Sequence, residues 1–198
     1  MSYQQILEEA ARLFCEKGYH ATTMEDLGAE VGMKKGSLYY YIESKEQLLL
    51  EVAELIPPMF IANLTPLLED TQLTAEQKLR TAITKHFELL DMRTGLAWLR
   101  VFLLEYRALP EEPRRKVLEQ RQHYEKIFRR FITEGIERGE FAQVDVATVT
   151  HAIVGMCSWA IEWYSPNGKL SGEEIASIFS DLILKGLLRS SNPDTKGD

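Results

Sequence analysis

Hydrophobic positions repeat at helical spacing along almost the whole chain. Ile6, Leu7, Ala10, Leu13 and Phe14 form the first stripe, which predicts an amphipathic helix over residues 3–17, stopped by Gly18. Leu27 and Val31 lie four apart and share one face of a second helix. Thr22 or Thr23 can cap it, with Glu25 or Asp26 reciprocating. Gly28 falls on that face, where the lack of a side chain lets another helix approach closely. Gly32 follows the last periodic residue, the place of a left-handed cap. Met33, Leu38 and Ile42 supply the apolar contacts of a short third helix. Ser44-Lys45-Glu46-Gln47 is a capping box opening a fourth helix, which Leu48, Leu49, Val52, Leu55 and Ile56 continue. Pro57-Pro58 is expected to interrupt or kink that helix, since each proline lacks an N–H and clashes with the preceding turn. The stripe resumes at Phe60, Ile61, Leu64, Leu67 and Leu68.

Thr74-Ala75-Glu76-Gln77 opens a helix to about residue 92, with Leu79, Ile83, His86, Phe87 and Leu90 inward. Residues 94–109 form a helix too apolar all round to lie on a surface. Pro110 and Pro113 end it and begin a long polar helix, about residues 112–138, with Val117, Tyr124, Ile127, Phe128, Phe131, Ile132 and Ile136 on one side and Gly139 as its cap. Asp145 caps a helix over residues 146–164, and Ser165 to Gly168 make a turn. Ser171-Gly172-Glu173-Glu174 opens a last helix to about residue 189. The polar tail, residues 190–198, is expected to be disordered. No strand pattern, internal repeat or low-complexity segment is present in the sequence. The expected fold is all-α with about nine helices. An N-terminal three-helix unit (1–46) precedes a C-terminal helical unit (47–189).

Composition is ordinary for a globular protein, with 45% hydrophobic and 27% charged residues. No uncharged apolar run reaches membrane-spanning length, and the first residues lack the basic and apolar regions of a signal peptide. Cys15 and Cys157 both fall on apolar helical faces and read as reduced packing residues. A cytoplasmic protein without membrane contact is expected. The net charge of −7 argues against a nonspecific polyanion binder, though steering depends on local potential. Residues 1–50 hold five Lys and Arg against eight Asp and Glu. Lys34, Lys35 and Lys45 are nevertheless clustered.

Thr22 to Lys45 has the spacing of a DNA-binding helix-turn-helix, whose second helix enters the major groove. Lys34, Lys35, Ser37, Tyr39, Tyr40 and Tyr41 crowd a short helix start, where free N–H groups and the dipole favour phosphate. Gly36 permits close backbone approach. Thr22, Thr23 and Lys45 complete the expected DNA-binding set. The run Ile6…Ala10-Ala11…Leu13-Phe14…Gly18-Tyr19…Thr22-Thr23-Met24-Glu25-Asp26-Leu27…Val31-Gly32…Lys35-Gly36-Ser37-Leu38-Tyr39-Tyr40…Ser44-Lys45-Glu46…Leu48-Leu49 resembles the N-terminal domain of the TetR family of bacterial repressors. It departs at Gly28, where the family usually has alanine, at Lys34, where serine is common, and at Tyr41-Ile42, where His-Phe is typical. The resemblance implies a homodimer on a palindromic DNA operator, released by a small-molecule effector.

The last two helices carry more apolar positions than one intrachain stripe needs. Val149, Ile153, Met156, Ile175, Phe179, Leu182 and Leu187 are therefore expected in an isologous four-helix dimer interface. Between residues 74 and 164, His86, Trp98, Arg100, Phe102, Tyr106, Arg107, Phe128, Trp159 and Trp163 mix aromatic and polar character, as a ligand pocket does. Residues 104–110, 134–141 and 163–187 are similar to TetR-type regulators of fatty-acid and related acyl-CoA catabolism. That similarity implies an acyl-CoA effector, with its phosphates met by Arg100, Arg107 or the cluster Arg114-Arg115-Lys116. The alternative is an efflux or detoxification repressor induced by a hydrophobic cation, for which Glu105 or Glu162 would suit. No nucleophile elbow, metal-ligand cluster, P-loop or dinucleotide fingerprint points to an enzyme, a cofactor or a metal.

Overall fold

A computed structural model describes residues 2–92 and 94–188. The expected disorder of residues 190–198 lies outside that range. The order is α1 (Tyr3–Lys17), α2 (Met24–Glu30), α3 (Lys35–Leu38), α4 (Lys45–Glu69), α5 (Ala75–Asp91), α6 (Gly95–Leu103), a 3-10 turn (Glu105–Ala108), α7 (Glu111–Glu137), α8 (Val146–Trp163) and α9 (Gly172–Leu187). Among the described residues the single β element is an isolated bridge between Phe141 and Leu188.

Helix starts follow the local chemistry. Ser2, Thr23, Thr74 and Ser171 each accept the N–H three residues on, and Gln5, Asp26, Gln77 and Glu174 reciprocate as capping boxes. Ser44 and Asp145 cap α4 and α8. α1 to α3 form a small head, with Ile6, Ala10, Leu13, Phe14, Leu27 and Leu38 buried between them. α4 leaves the head and runs through the body, packed on α1, α5, α6 and α7. Head and body share one hydrophobic core.

Two expectations are corrected here. Pro57-Pro58 does not interrupt α4, which is one helix of 25 residues that continues through Pro57, Pro58 and Pro66. The missing N–H groups leave carbonyls one turn back without helical partners. Burial outweighs that cost, since Val52, Ala53, Ile56, Pro57, Phe60 and Leu64 are all packed inside. By length and composition α4 would also suit a membrane, but it is the central core helix of this bundle. Residues 94–109 form two elements. α6 stops at Leu103, and a tighter 3-10 turn carries Glu105 to Ala108. Pro110 holds Leu109 extended (ψ 145°), which ends the 3-10 turn.

Candidate DNA interface and sensing cleft

Thr23 is the residue that starts α2. Its hydroxyl accepts the Asp26 N–H at 3.0 Å, and the Asp26 carboxylate accepts the Thr23 N–H at 2.8 Å. The backbone and side chain of Thr23, with Lys17 behind them, hold the Asp26 carboxyl down at about 2. The chain then turns at Gly32, whose φ of +66° is left-handed. Gly28 lies directly under this turn. A Cβ there would sit 2.6 Å from the Met33 carbonyl oxygen, and the Met33 N–H donates to the Gly28 carbonyl at 2.8 Å. Close helix approach over Gly28 is therefore a feature of the fold.

α3 is a single turn, fastened by Leu38 and Ile42, both buried. Lys34, Lys35, Gly36, Ser37, Tyr39, Tyr40 and Tyr41 all face outward, and the Tyr40 ring is 86% exposed. An apolar ring so exposed marks a contact surface better than it marks a core. Lys35 pairs with Glu25 at 2.8 Å, so that cation is partly neutralised in the free protein. Thr22 is a correction to the expected DNA-binding set, and Lys45 is engaged within the head. Thr22 is buried and donates to the carbonyls of Gly18 and Leu13. The Lys45 ammonium donates to the carbonyls of Tyr19 and Thr22 at 2.8 Å and lies 4.2 Å from the centre of the Tyr19 ring. Both pin the loop between α1 and α2, and so hold the head together.

Inside the body a cleft opens between α4, α5, α6, α7 and α8. Its buried, deep walls are Pro57, Phe60, His86, Leu99, Phe102 and Tyr124, and the half-buried Leu103, Arg121, Glu125, Val154 and Ser158 stand toward its mouth. The free volume is about 30 Å³, room for little more than a water molecule. His86 Nδ1 and the Tyr124 hydroxyl share a buried 2.9 Å hydrogen bond. His86 Nε2 has no hydrogen bond of normal geometry. Burial holds the His86 imidazole down at about 4, against a weak opposing pull from the backbone of Cys157. At the mouth, Leu103, Arg121 and Ser158 also border a surface groove with Arg107, Trp159 and Glu162.

The outer face of α8 and α9 is apolar and uncovered. Trp159 is 66% exposed, Leu182 63%, Ile178 53% and Trp163 48%. Of the expected interface residues, Leu182 is exposed, and Val149, Met156 and Phe179 are half-buried. Ile153, Ile175 and Leu187 are buried in the protomer's own core, a correction to their expected place. The helical phase decides this: Ile153, Cys157, Ala160 and Ile161 face inward, which turns Gly155, Trp159 and Trp163 outward.

The description "Bacterial regulatory proteins, tetR family" fits residues 6–52, and "Tetracyclin repressor-like, C-terminal domain" fits residues 72–187. The chain belongs to the TetR family. Among TetR-type relatives, the HTH-type transcriptional repressor KstR2 of Mycolicibacterium smegmatis is 28% identical, over 94% of this chain and 90% of its own. The fatty acid metabolism regulator protein of Bacillus subtilis is also 28% identical, over 93% of this chain and 95% of its own. The crystal structure of AibR in complex with isovaleryl coenzyme A and operator DNA superposes with a TM-score of 0.82 at 27% identity, covering 91% of this chain and 96% of that one.

The expected ligand residues of this TetR-type chain scatter. His86 and Phe102 line the cleft, and Arg107 and Trp159 border its mouth groove. Trp98, Tyr106 and Phe128 are buried. Trp163 is on the outer face, its ring 6.2 Å from that of Phe179, so it is not among the cleft walls. Arg100 faces Glu162 at 3.7 Å. Arg115 is tied to Glu112 and Glu119, a solvated helix face. Sequence reasoning missed Pro57, Phe60, Arg121 and Ser158. Pro57 and Phe60 lie on α4, outside residues 74–164 where the pocket was expected. Arg121 was within reach of pattern reasoning, since it lies three residues before Tyr124 on one face of α7. Head and cleft are also joined: the Glu105 carboxylate, just past α6, accepts the Tyr19 N–H of the head at 3.0 Å.

A pH measurement tests the buried histidine. Its folded value near 4 lies below the unfolded value near 6.5, so below pH 6.5 the unfolded chain binds a proton that the native state refuses. Stability then falls with pH, by about 2 kcal/mol between pH 7 and pH 5. In His86→Phe that part of the slope disappears. Denaturant unfolding of both proteins at pH 7 and pH 5 checks it; equal slopes refute it.

Proposed function

We propose that this TetR-type regulator is a cytoplasmic repressor that binds a palindromic operator as a homodimer and is released by an acyl-CoA. Residues 1–46 serve as the DNA-reading head, and residues 47–189 as the effector and dimerisation body. The observation that carries the reading is the outward array from Lys34 to Tyr41, set on a one-turn helix that Leu38 anchors. Lysine and tyrosine there suit phosphate, and the hydroxyls of Ser37 and the tyrosines can reach base edges.

The uncovered face of α8 and α9 supports the dimer. Gly155 and Gly186 lie one helical turn from Trp159 and Leu182, with open space where a Cβ would go. Glycine inside a helix costs about 1 kcal/mol, which suits a place where a second helix must come close. Two heads related by a two-fold axis would read half-sites about 34–36 Å apart.

The cleft supports the effector. Its walls are apolar, and Arg107 and Arg121 at the mouth suit an anionic head group. Glu105 is committed to the Tyr19 N–H, and Glu162 faces Arg100, which counts against the cationic inducer. A ligand entering so small a space must part the walls. It would press on α4 at Pro57 and Phe60, where backbone hydrogen bonds are already missing. It would also press on α6 at Phe102 and Leu103, next to the Glu105 tie to the head. Release requires only that the ligand favour the splayed dimer, by about 1.4 kcal/mol per tenfold loss of operator affinity.

Fluorescence anisotropy with duplex from the upstream intergenic region tests the DNA half. Tyr40→Ala removes one contact per protomer, about 1 kcal/mol each, and is expected to weaken binding about thirtyfold. Unchanged affinity would refute the surface assignment. Isovaleryl-CoA added to the complex is expected to lower the anisotropy, and no response to any acyl-CoA would remove the effector assignment alone.

A further inference from the structure

Building on the acyl-CoA reading, we infer that the effector carries a neutral oxygen function, a hydroxyl or keto group, on the acyl part that reaches the deep end of the cleft, where it hydrogen-bonds to the Tyr124–His86 pair. The deep end is built for this. Phe60 packs its ring 5.3 Å from Tyr124 and 5.4 Å from His86, so the polar pair sits in an aromatic box. His86 is 2% exposed and Tyr124 9%. A neutral imidazole and a phenol have two donors and several lone pairs between them. One 2.9 Å hydrogen bond uses only part of that capacity, and His86 Nε2 faces the Cys157 backbone without a hydrogen bond of normal geometry. Polar capacity left unused inside an apolar wall is costly. An unsubstituted alkyl end would bury more of it, whereas a hydroxyl or keto oxygen would satisfy it.

The charge state narrows the class. Burial keeps the imidazole neutral at pH 7, so no cation waits at the deep end for a carboxylate. The cations of the cleft, Arg121 and, beyond it, Arg107, are at the mouth, where they suit the phosphates of the CoA portion. The ligand therefore enters with its oxygenated acyl end first.

Isothermal titration with matched pairs tests this: octanoyl-CoA against 3-hydroxyoctanoyl-CoA, and butyryl-CoA against 3-hydroxybutyryl-CoA. Wild type is expected to prefer the hydroxylated member of at least one pair about tenfold, the value of one buried hydrogen bond. Tyr124→Phe keeps the ring packing and is expected to erase the preference, so that the two members of each pair bind this variant with about equal affinity. A purely structural pair would instead give Tyr124→Phe a lower melting temperature and an unchanged ratio of affinities. If acyl-CoAs bind without preference, or the preference survives in Tyr124→Phe, the inference is overturned and the acyl-CoA reading stands. If no acyl-CoA and no free CoA binds, both fall. His86→Gln, expected to reduce the preference in the same direction, replaces Tyr124→Phe should that variant fail to fold.

Discussion

Ile178→Glu together with Leu182→Glu is expected to turn the protein into a folded monomer and to cut operator affinity about a thousandfold. The two residues sit four apart on the outer face of α9, 53% and 63% exposed, and do not line the cleft. Glutamates there cost the protomer little, because water already reaches both positions. In a dimer seam the same four charges would be desolvated without partners, a cost that no apolar contact nearby could offset. The effect on DNA comes from geometry. In the proposed dimer each head would read one half-site, and the second half-site would be bound at a high effective concentration. A monomer loses that linkage and falls toward nonspecific affinity, typically at least about a thousandfold weaker. Sedimentation and anisotropy on the same preparation check both parts. A double variant that still sediments as a dimer would show that the seam lies elsewhere.

Gly95→Ala is expected to lose about 3 kcal/mol of stability, the overpacking cost of a site that cannot relax. Gly95 opens α6, directly after the turn from α5. A Cβ there would lie 1.7 Å from the Leu89 carbonyl oxygen and 2.8 Å from its carbon. Both neighbours are backbone, so no side chain can swing away. The turn itself is fastened, with the Met92 N–H on the Leu89 carbonyl at 3.1 Å and the Gly95 N–H on the Met92 carbonyl at 3.0 Å. The alanine must push α5 and α6 apart, and these helices wall the cleft. For a chain of this size the melting temperature should fall by about 9 °C. Scanning calorimetry decides; a shift of less than about 2 °C would mean that the turn opens freely. Operator affinity per folded dimer should change little, because Gly95 lies in the body rather than in the head.

Much of the fold could be read locally. Thr23 with Asp26, Thr74 with Gln77 and Ser171 with Glu174 are capping boxes in the sequence and in the structure, because a cap needs only a side chain and the backbone three residues away. The left-handed Gly32 and the tight contact over Gly28 are local for the same reason. The outward array from Lys34 to Tyr41 follows from a helix too short to bury more than Leu38. Thr22 was misread because its partners, the carbonyls of Leu13 and Gly18, belong to α1 and the loop after it.

The amino-acid sequence alone determined most of the helices and their starts, the outward array from Lys34 to Tyr41 and a surplus of apolar residues near the C-terminus. Each of these depends on residues within a turn or two of one another. Only the tertiary structure decided that α4 continues through Pro57 and Pro58, that Ile153, Ile175 and Leu187 point inward while Trp159 and Leu182 point out, and that Pro57, His86, Phe102, Tyr124 and Ser158 meet in one cleft. Those outcomes depend on the rotation of each helix about its axis against its neighbours. Hydrophobic burial summed over several helices sets that rotation, and burial of this kind has no local signature.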